Sequence, residues 1–504
     1  MRAGEGGAEA RELAEARERV REAGGDALLA RLTHLDGARR APAPRPGPAL
    51  RAPDRGARAD YDVVIAGGGL SLLLAPLLAS AGLRVAVLDR ARIGAAHREW
   101  NAGTAELEAL SASGLLAKDE VERLVVARYV EGICRWHGGG TYPVRGALDH
   151  AIDAAGLLAA ARARAEALGV ALLDEHALVG HAEGPDAVAL AVAEAAPGAV
   201  EAAEAAEAAP GAVGARPRAL SARLLVDARG AASPYATADL VCPTVGGVLT
   251  GLAEGDGPRR IRPDVGEILA TTEDVEEGRQ HVWEAFPGRP GETTVYLFYY
   301  ARTGDVGPGA LLSLYARFFR LLPRYKEGDA RLARPTFGLI PGWTRLTAAP
   351  RAPGRRVRLV GDAAARHSPL TFCGFGASVR ELATTAADLA RAAEDPGAPR
   401  AARDAPVHSG TGALAALMAR PAGGARAGEM NALLDTAFAV LHAMGNDAYA
   451  GLLRDEMQPA EFIKFLRETA ARRPEVYREV VSALPLRAIG RWGAGLAREL
   501  LRGR

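Results

Sequence analysis

Asp62-Val-Val-Ile-Ala-Gly-Gly-Gly-Leu70 sets five residues suited to a buried strand ahead of three glycines and the start of a helical pattern. In a dinucleotide-binding turn the first glycine permits the tight bend and the second lets the backbone approach a pyrophosphate. The third lets the helix pack close to the strand. Gly67 and Gly69 take the first two places with Gly68 between them, and Leu72 stands where the third glycine belongs. The same glycines also suit an ordinary strand–helix turn. Working outward, residues 70–81 have a helical pattern and Leu83–Asp89 is a second apolar strand. Together they form the opening strand–turn–helix–strand of a doubly wound sheet. Asp89 ends that second strand, with Arg90 beside it, about twenty residues after the turn. A carboxylate there is placed to accept hydrogen bonds from the unphosphorylated adenosine ribose of FAD or NAD.

A second segment, Val360-Gly-Asp-Ala-Ala-Ala-Arg-His-Ser-Pro-Leu-Thr-Phe-Cys-Gly-Phe-Gly376, lies far downstream. Leu359–Gly361 reads as a strand end, and Asp362 would be aimed at a ribityl hydroxyl. Pro369, Gly374 and Gly376 suit a loop that brings backbone amides up to a flavin. A helix starting near residue 375 would place its positive end at the N1/C2=O edge of the reduced ring. Between the two segments, Leu224-Leu-Val-Asp-Ala-Arg-Gly230 resembles the Val-Asp-Ala-Thr-Gly strand end of flavoproteins, with arginine in place of threonine. It adds Asp227 and Gly230 on the adenine side. In this order, the segments predict one FAD laid across one domain.

The 62 basic and 61 acidic residues nearly cancel, so nucleic acid is not expected as a partner, since tracking phosphates needs a net basic face. Cys134, Cys242 and Cys373 are too few and too scattered for a disulfide framework or a metal site, and a reducing compartment is expected. No run of eighteen apolar residues is present, and no signal-peptide core or transmembrane helix is read.

Residues 1–58 read as a charged helix (Ala8 to Arg31) and a Pro-rich linker, with five prolines in residues 41–53, and little fixed structure is expected there. Residues 60–395 are expected to hold the FAD-binding domain with an interleaved substrate sheet. Within them, 191–216 is an Ala-rich surface loop containing Glu-Ala-Ala-Pro-Gly-Ala-Val at 194–200 and again at 207–213. Residues 396–428 are read as a second low-complexity insertion. Val282–Phe286 and Thr293–Tyr300 alternate as antiparallel strands do. Residues 429–504 form a helical C-terminal region. In it Leu486, Ile489, Trp492, Leu496 and Leu500 share one face, while Arg487, Arg491, Arg498 and Arg502 lie largely on another. Two readings stand for 485–504: peripheral contact with a membrane surface, or packing on its own domain. The fold class is α/β: a doubly wound, Rossmann-like FAD/NAD(P)-binding domain of the GR2 type, an antiparallel substrate sheet and a helical C-terminal region.

Several blocks carry a family resemblance. Glu99-Trp-Asn101, Ser113-Gly-Leu-Leu-Ala-Lys-Asp-Glu-Val-Glu122, His137-Gly-Gly-Gly140, Trp283-Glu-Ala-Phe-Pro287, Leu321-Leu-Pro-Arg-Tyr325 and His367-Ser-Pro-Leu-Thr-Phe-Cys-Gly-Phe-Gly376 resemble the lycopene cyclases of the CruA/CruP type. The resemblance runs from about Tyr61 to the C-terminus, and that family tolerates a non-glycine at the Leu72 position. It implies a redox-neutral closure of the acyclic ends of lycopene to β-ionone rings. Reduced FAD is required in that chemistry, with NAD(P)H serving to keep it reduced. An anionic reduced flavin stabilises a nearby carbocation or relays the proton. The implied setting is a plastid membrane surface or the cytoplasmic face of a bacterial photosynthetic membrane.

The resemblance also implies a proton donor. In plant-type cyclases an acidic pair sits on a substrate-facing strand. The corresponding Val295-Tyr-Leu-Phe-Tyr-Tyr300 has no carboxylate, and Glu284 on the neighbouring strand is the nearest candidate. In an apolar pocket its pKa would rise; its other reading is a solvated strand-edge carboxylate. His367 either holds the flavin edge and acts in catalysis or caps the following turn. Glu99, Trp100, Trp283, Phe286 and Phe372 are candidates for the cavity, and Trp100 also reads as core. No metal is expected. The alternatives are a flavin-dependent reductase or dehydrogenase of a carotenoid or isoprenoid, and a catalytically silent flavin- or pigment-binding paralogue.

Overall fold

The computed structural model describes residues 2–37, 50–96, 100–194, 218–236, 238–344, 354–365, 370–371, 374–398, 408–421, 423–476, 478 and 486–502. At its centre Ala171–Leu173, Val85–Leu88, Tyr61–Ala66 and Arg218–Asp227 lie side by side and parallel. The first half of Arg218–Asp227 pairs antiparallel with Val188–Glu194, which pairs with His176–Glu183. Its last residues pair parallel with Val357–Leu359, Asp227 opposite Leu359. Strands covered on both faces need apolar residues throughout, which is why 61–66 and 85–88 read as unbroken apolar runs. Val63 and Ile65 face the helices Leu74–Ser80, Ala154–Ala167 and Leu382–Glu394, while Val64 and Ala66 face Leu190 and Leu359.

A second sheet runs in the order Leu240–Leu252, Glu292–Phe298, Val282–Pro287, Val265–Ala270, Glu131–Arg135, Thr141–Val144, with Gly328–Gly342 along the other side of Leu240–Leu252. The pairing of Val282–Pro287 with Glu292–Phe298 is antiparallel, as the alternation of the sequence predicts. Alternate residues separate two cores. Trp283, Ala285, Val295 and Leu297 pack under the helix Ala310–Tyr325. Val282, Phe286, Phe298, Cys134 and Cys242 pack under the helices Glu429–Met444, Asn446–Leu453 and Pro459–Arg472. The helical C-terminal region is therefore the roof of one sheet face.

Two expectations change. The N-terminal segment is a helix, Arg2–Gly37, interrupted at Gly25 (φ 77°), and it is docked: Ala16, Val20, Leu32 and Leu35 are buried on the 310–325 helix side of the sheet. The reason is a sparse apolar stripe, diluted by charges that remain exposed. Within 396–428, His408–Met418 is a helix with Thr411, Ala413 and Ala415 buried. Its composition reads as low complexity because its neighbours leave no room for larger residues: a Cβ on Gly412 would lie 2.3 Å from the Thr344 carbonyl oxygen. Of the Ala-rich loop read at 191–216, residues 191–194 instead end the strand Val188–Glu194, an apolar run buried between two neighbours, and 195–216 lie outside the described residues.

Candidate functional site

The parallel strands end together, and short backbone bonds hold their loops in one row. Gly67 N–H donates to Leu88 O (2.9 Å), Ala228 N–H to Ala66 O (2.8 Å) and Val360 N–H to Asp227 O (3.0 Å). The carboxyl edge of such a sheet is where open α/β folds place their ligands. Gly67 has φ +122°, and a Cβ there would sit 2.4 Å from Ala228 O, so glycine is required. A Cβ on Gly69 or Gly361 would meet nothing within 4 Å. Gly230 (φ +60°) brings its loop beside Asp362, 3.9 Å from a built Cβ to the Asp362 Cβ. Asp362 itself is exposed on the turn Gly361–Ala364. Gly69 and Gly361 thus border a shelf with open space in front of it, whereas Gly67 and Gly68 are closely packed.

Asp89 braces this shelf. One carboxylate oxygen accepts Gly68 N–H at 2.6 Å and the other Ala91 N–H at 2.8 Å. A carboxylate has about four acceptor positions, so these two bonds leave acceptor capacity for ribose hydroxyls. Arg90 follows it on the same strand end. Leu72 is fully buried in the core beneath the parallel sheet, and the chain enters the helix through a 3₁₀ turn, Leu70–Leu73. Gly94, in the turn after Val85–Leu88, closes against the glycine turn, its N–H donating to Gly68 O (2.8 Å).

Asp227 serves the fold. Fully buried, it accepts bonds from Arg229 Nη2 (2.8 Å) and Ser233 Oγ (2.7 Å), and Arg229 also reaches Leu178 O. Burial favours its neutral form, but the Arg229 and Ser233 bonds outweigh that and lower its pKa. The arginine that replaces threonine in this motif is thus the partner that makes a buried aspartate tolerable.

Gly374 opens the helix Gly374–Arg380. A Cβ on Gly376 would lie 3.2 Å from Glu106 Cγ. Glu106, which sequence reasoning missed, is buried, accepts Gly103 N–H (2.8 Å) and pairs with Arg380. Its one sequence signal is a glutamate in the first turn of the helix Thr104–Ala112. Trp100 stacks on Phe375 at 4.7 Å and 15°, so it packs the strand Trp100–Ala102 against the helix that follows the flavin-type loop. Glu99, His367, Pro369 and Phe372 lie outside the described residues.

The second sheet supplies a different kind of group. Glu284 stands on Val282–Pro287, directly opposite Tyr296. Both keep partial accessibility on a face where Val282, Phe286, Thr294 and Phe298 are buried. Burial raises the Glu284 pKa to about 8. The buried thiols of Cys134 and Cys242 lie on the same face, their pKa values raised by burial first and then by the neighbouring Glu284 charge. Phe286 shares this face, its ring 6.0 Å from that of Tyr129. Trp283 does not: it points to the opposite core and stacks on Tyr325 at 4.6 Å, because adjacent strand residues alternate. The Tyr300 hydroxyl donates to Leu370 O, which ties this region to the segment after Gly361–Ala364. Among the described residues no group of three His, Cys, Asp or Glu is placed to hold a metal ion.

No family model matches the chain, and no curated protein matches it. Solved structures do. A geranylgeranyl bacteriochlorophyll reductase-like protein from Thermoplasma acidophilum is 14% identical, with a TM-score of 0.51 over 84% of this chain and 99% of that one. The halogenase PltM is 14% identical, TM-score 0.53, over 87% and 96%. The p-nitrophenol 4-monooxygenase PnpA from Pseudomonas putida is 18% identical, TM-score 0.51, over 80% and 97%. The fold of this chain, a parallel Rossmann-like sheet joined to an antiparallel sheet under helices, is that of the FAD-binding flavoproteins.

Proposed function

We propose that the chain holds FAD along the carboxyl edge of its parallel sheet and uses Glu284 to protonate a carbon–carbon double bond of lycopene, closing its ends to β-ionone rings. The glycine-bordered shelf fits the cofactor: Gly69 and Gly361 face open space, and Asp89 and Asp362 stand at its two ends as acceptors for ribose and ribityl hydroxyls. Reduced FAD would supply an electron-rich ring that stabilises positive charge beside it.

The observation that carries the reading is Glu284. Its carboxyl is neutral below about pH 8 and sits on a face where Val282, Phe286, Phe298, Cys134 and Cys242 are buried beside Tyr296 and Thr294. Such a group donates a proton to an alkene. The cation so formed is attacked by a neighbouring double bond, a carbon–carbon bond closes the ring, and the Glu284 carboxylate takes back a ring proton. One proton enters and one leaves, with no net electrons transferred. The segments resembling CruA/CruP-type cyclases, Trp283-Glu-Ala-Phe-Pro287 among them, supply the substrate.

A second reading has its own support in the likeness to a geranylgeranyl reductase-like protein. Glu284 would donate the same proton, and reducing equivalents from NAD(P)H would be consumed. Pigment analysis in a bacterial host that accumulates lycopene separates the two. Appearance of γ- or β-carotene, lost in Asp362→Ala, supports the cyclase; a product with added hydrogens supports the reductase. Unchanged lycopene from a purified protein carrying stoichiometric FAD rejects the cyclase.

A further inference from the structure

The C-terminal helix Leu486–Arg502 is docked by one face and bare on the other. Ala488, Ile489 and Trp492 pack on Ala413 and Ala416, and Leu496 reaches the core beneath the helical roof. The outward face carries Leu486, Gly490, Gly493, Ala494, Ala497 and Leu501, all exposed and none charged. Leu486 at 81% and Leu501 at 72% are the most exposed large hydrophobic residues among those described. Their fifteen-residue separation sets them about 22 Å apart along a helix. Arg487, Arg491 and Arg498, also exposed, run along one edge of this strip, and Glu499, the helix's one carboxylate, lies toward the docked side. The apolar face read from periodicity is therefore mostly spent inside the protein, in line with the second of its two readings, and a different face is exposed.

We propose that this outward face lies on an anionic lipid surface. The two leucines enter the acyl boundary at either end, and the small residues between them let the helix backbone settle close to the headgroups. The arginine row meets the lipid phosphates, which is the charge complementarity that selects lipid over a neutral partner. No helix among the described residues is long and apolar enough to cross a membrane, and attachment along the surface needs none. The proposal does not depend on Glu284, so its test needs no turnover.

The full-length protein is mixed with vesicles of phosphatidylcholine alone or with phosphatidylglycerol, and bound protein is separated by flotation at low and high salt. Binding is expected only with the anionic lipid and weakens with salt. Replacing all three arginines (R487Q, R491Q, R498Q) lowers the partition coefficient on the order of a hundredfold, at about fivefold per charge. The pair L486S and L501S lowers it at least about tenfold, with unchanged circular dichroism and melting temperature because neither leucine is in the core. Absent binding, equal binding to neutral vesicles, or binding untouched by both variants overturns the proposal. A concentration-dependent dimer that the leucine variant dissolves would assign the face to a second copy instead.

Discussion

Two carboxylates inside this protein are driven in opposite directions by what surrounds them. Asp227 has an arginine and a serine hydroxyl on its oxygens and ionises below its usual range; Glu284 has burial alone and titrates near 8. The sign for activity follows directly. In the proposed reaction the proton-bearing form of Glu284 is the acid, so turnover should be level in mild acid and fall about tenfold per pH unit above 8. Glu284→Gln should lose about 10²–10⁴-fold in rate while retaining FAD; a variant with near-normal turnover would remove Glu284 from the chemistry. Stability has its own sign. An unfolded glutamate titrates near 4.5, so between there and about 8 the native state holds an extra proton. The contribution is fully present below about 4.5 and is lost as pH rises through 8. Denaturant unfolding of Glu284→Gln at pH 5 and pH 9 should therefore show less loss at high pH than the parent, and equal losses would mean that Glu284 titrates normally. The antiparallel strand that carries Glu284 was legible from alternation. The roles of Asp227 and Trp283 were not, because they turn on which side chain folds back and which way a strand faces.

At the scale of elements, composition misled where packing decides. Ala, Gly and Thr at 408–419 read as an insertion, yet they are the residues that let a helix approach Thr344 and Phe462 closely. Gly412→Ala places a methyl 2.3 Å from a backbone oxygen and should destabilise by about 1–3 kcal/mol; a surface insertion would show no change in a melting curve. The N-terminal helix makes a comparable contact. Asp36 gives one oxygen to Leu311 N–H (2.8 Å) and the other to Leu312 N–H (2.9 Å), capping the 310–325 helix from a distant part of the chain. That helix otherwise begins at Gly309, which has no side chain to cap it. Asp36→Ala should cost about 0.5–2 kcal/mol, with Asp36→Asn milder because it keeps one acceptor. If the N-terminal helix were detached in solution, both would melt with the parent. A cap joining residues 275 positions apart leaves no local pattern, whereas the strand and turn at 62–70 and the strand end and helix start flanking 361–374 were readable because each is set by neighbouring residues.

Across the whole molecule the helix Gly374–Arg380 is tied to two other layers through one side chain. Arg380, at the end of that helix, pairs with buried Glu106, with Glu456 Oε1 at 3.1 Å, and donates to the Arg454 carbonyl. It thus links the helix Thr104–Ala112, its own helix Gly374–Arg380 and the turn between the roof helices Asn446–Leu453 and Pro459–Arg472, three parts far apart in sequence. Removing one partner of a buried pair leaves the other charge uncompensated, a loss of about 3–5 kcal/mol, whereas removing both is often nearly neutral. Arg380→Met should therefore be strongly destabilising and should shed FAD, because the helix that follows the flavin-type loop loses its anchor. Adding Glu106→Gln to Arg380→Met should recover much of the stability, since no buried charge is then left alone. The recovery of cofactor should be smaller, because the link from that helix to the Arg454 carbonyl and Glu456 stays broken. Denaturant unfolding and flavin absorbance on the four proteins of the cycle read the two quantities separately. Additive stability losses would mean that Glu106 and Arg380 do not act as a pair.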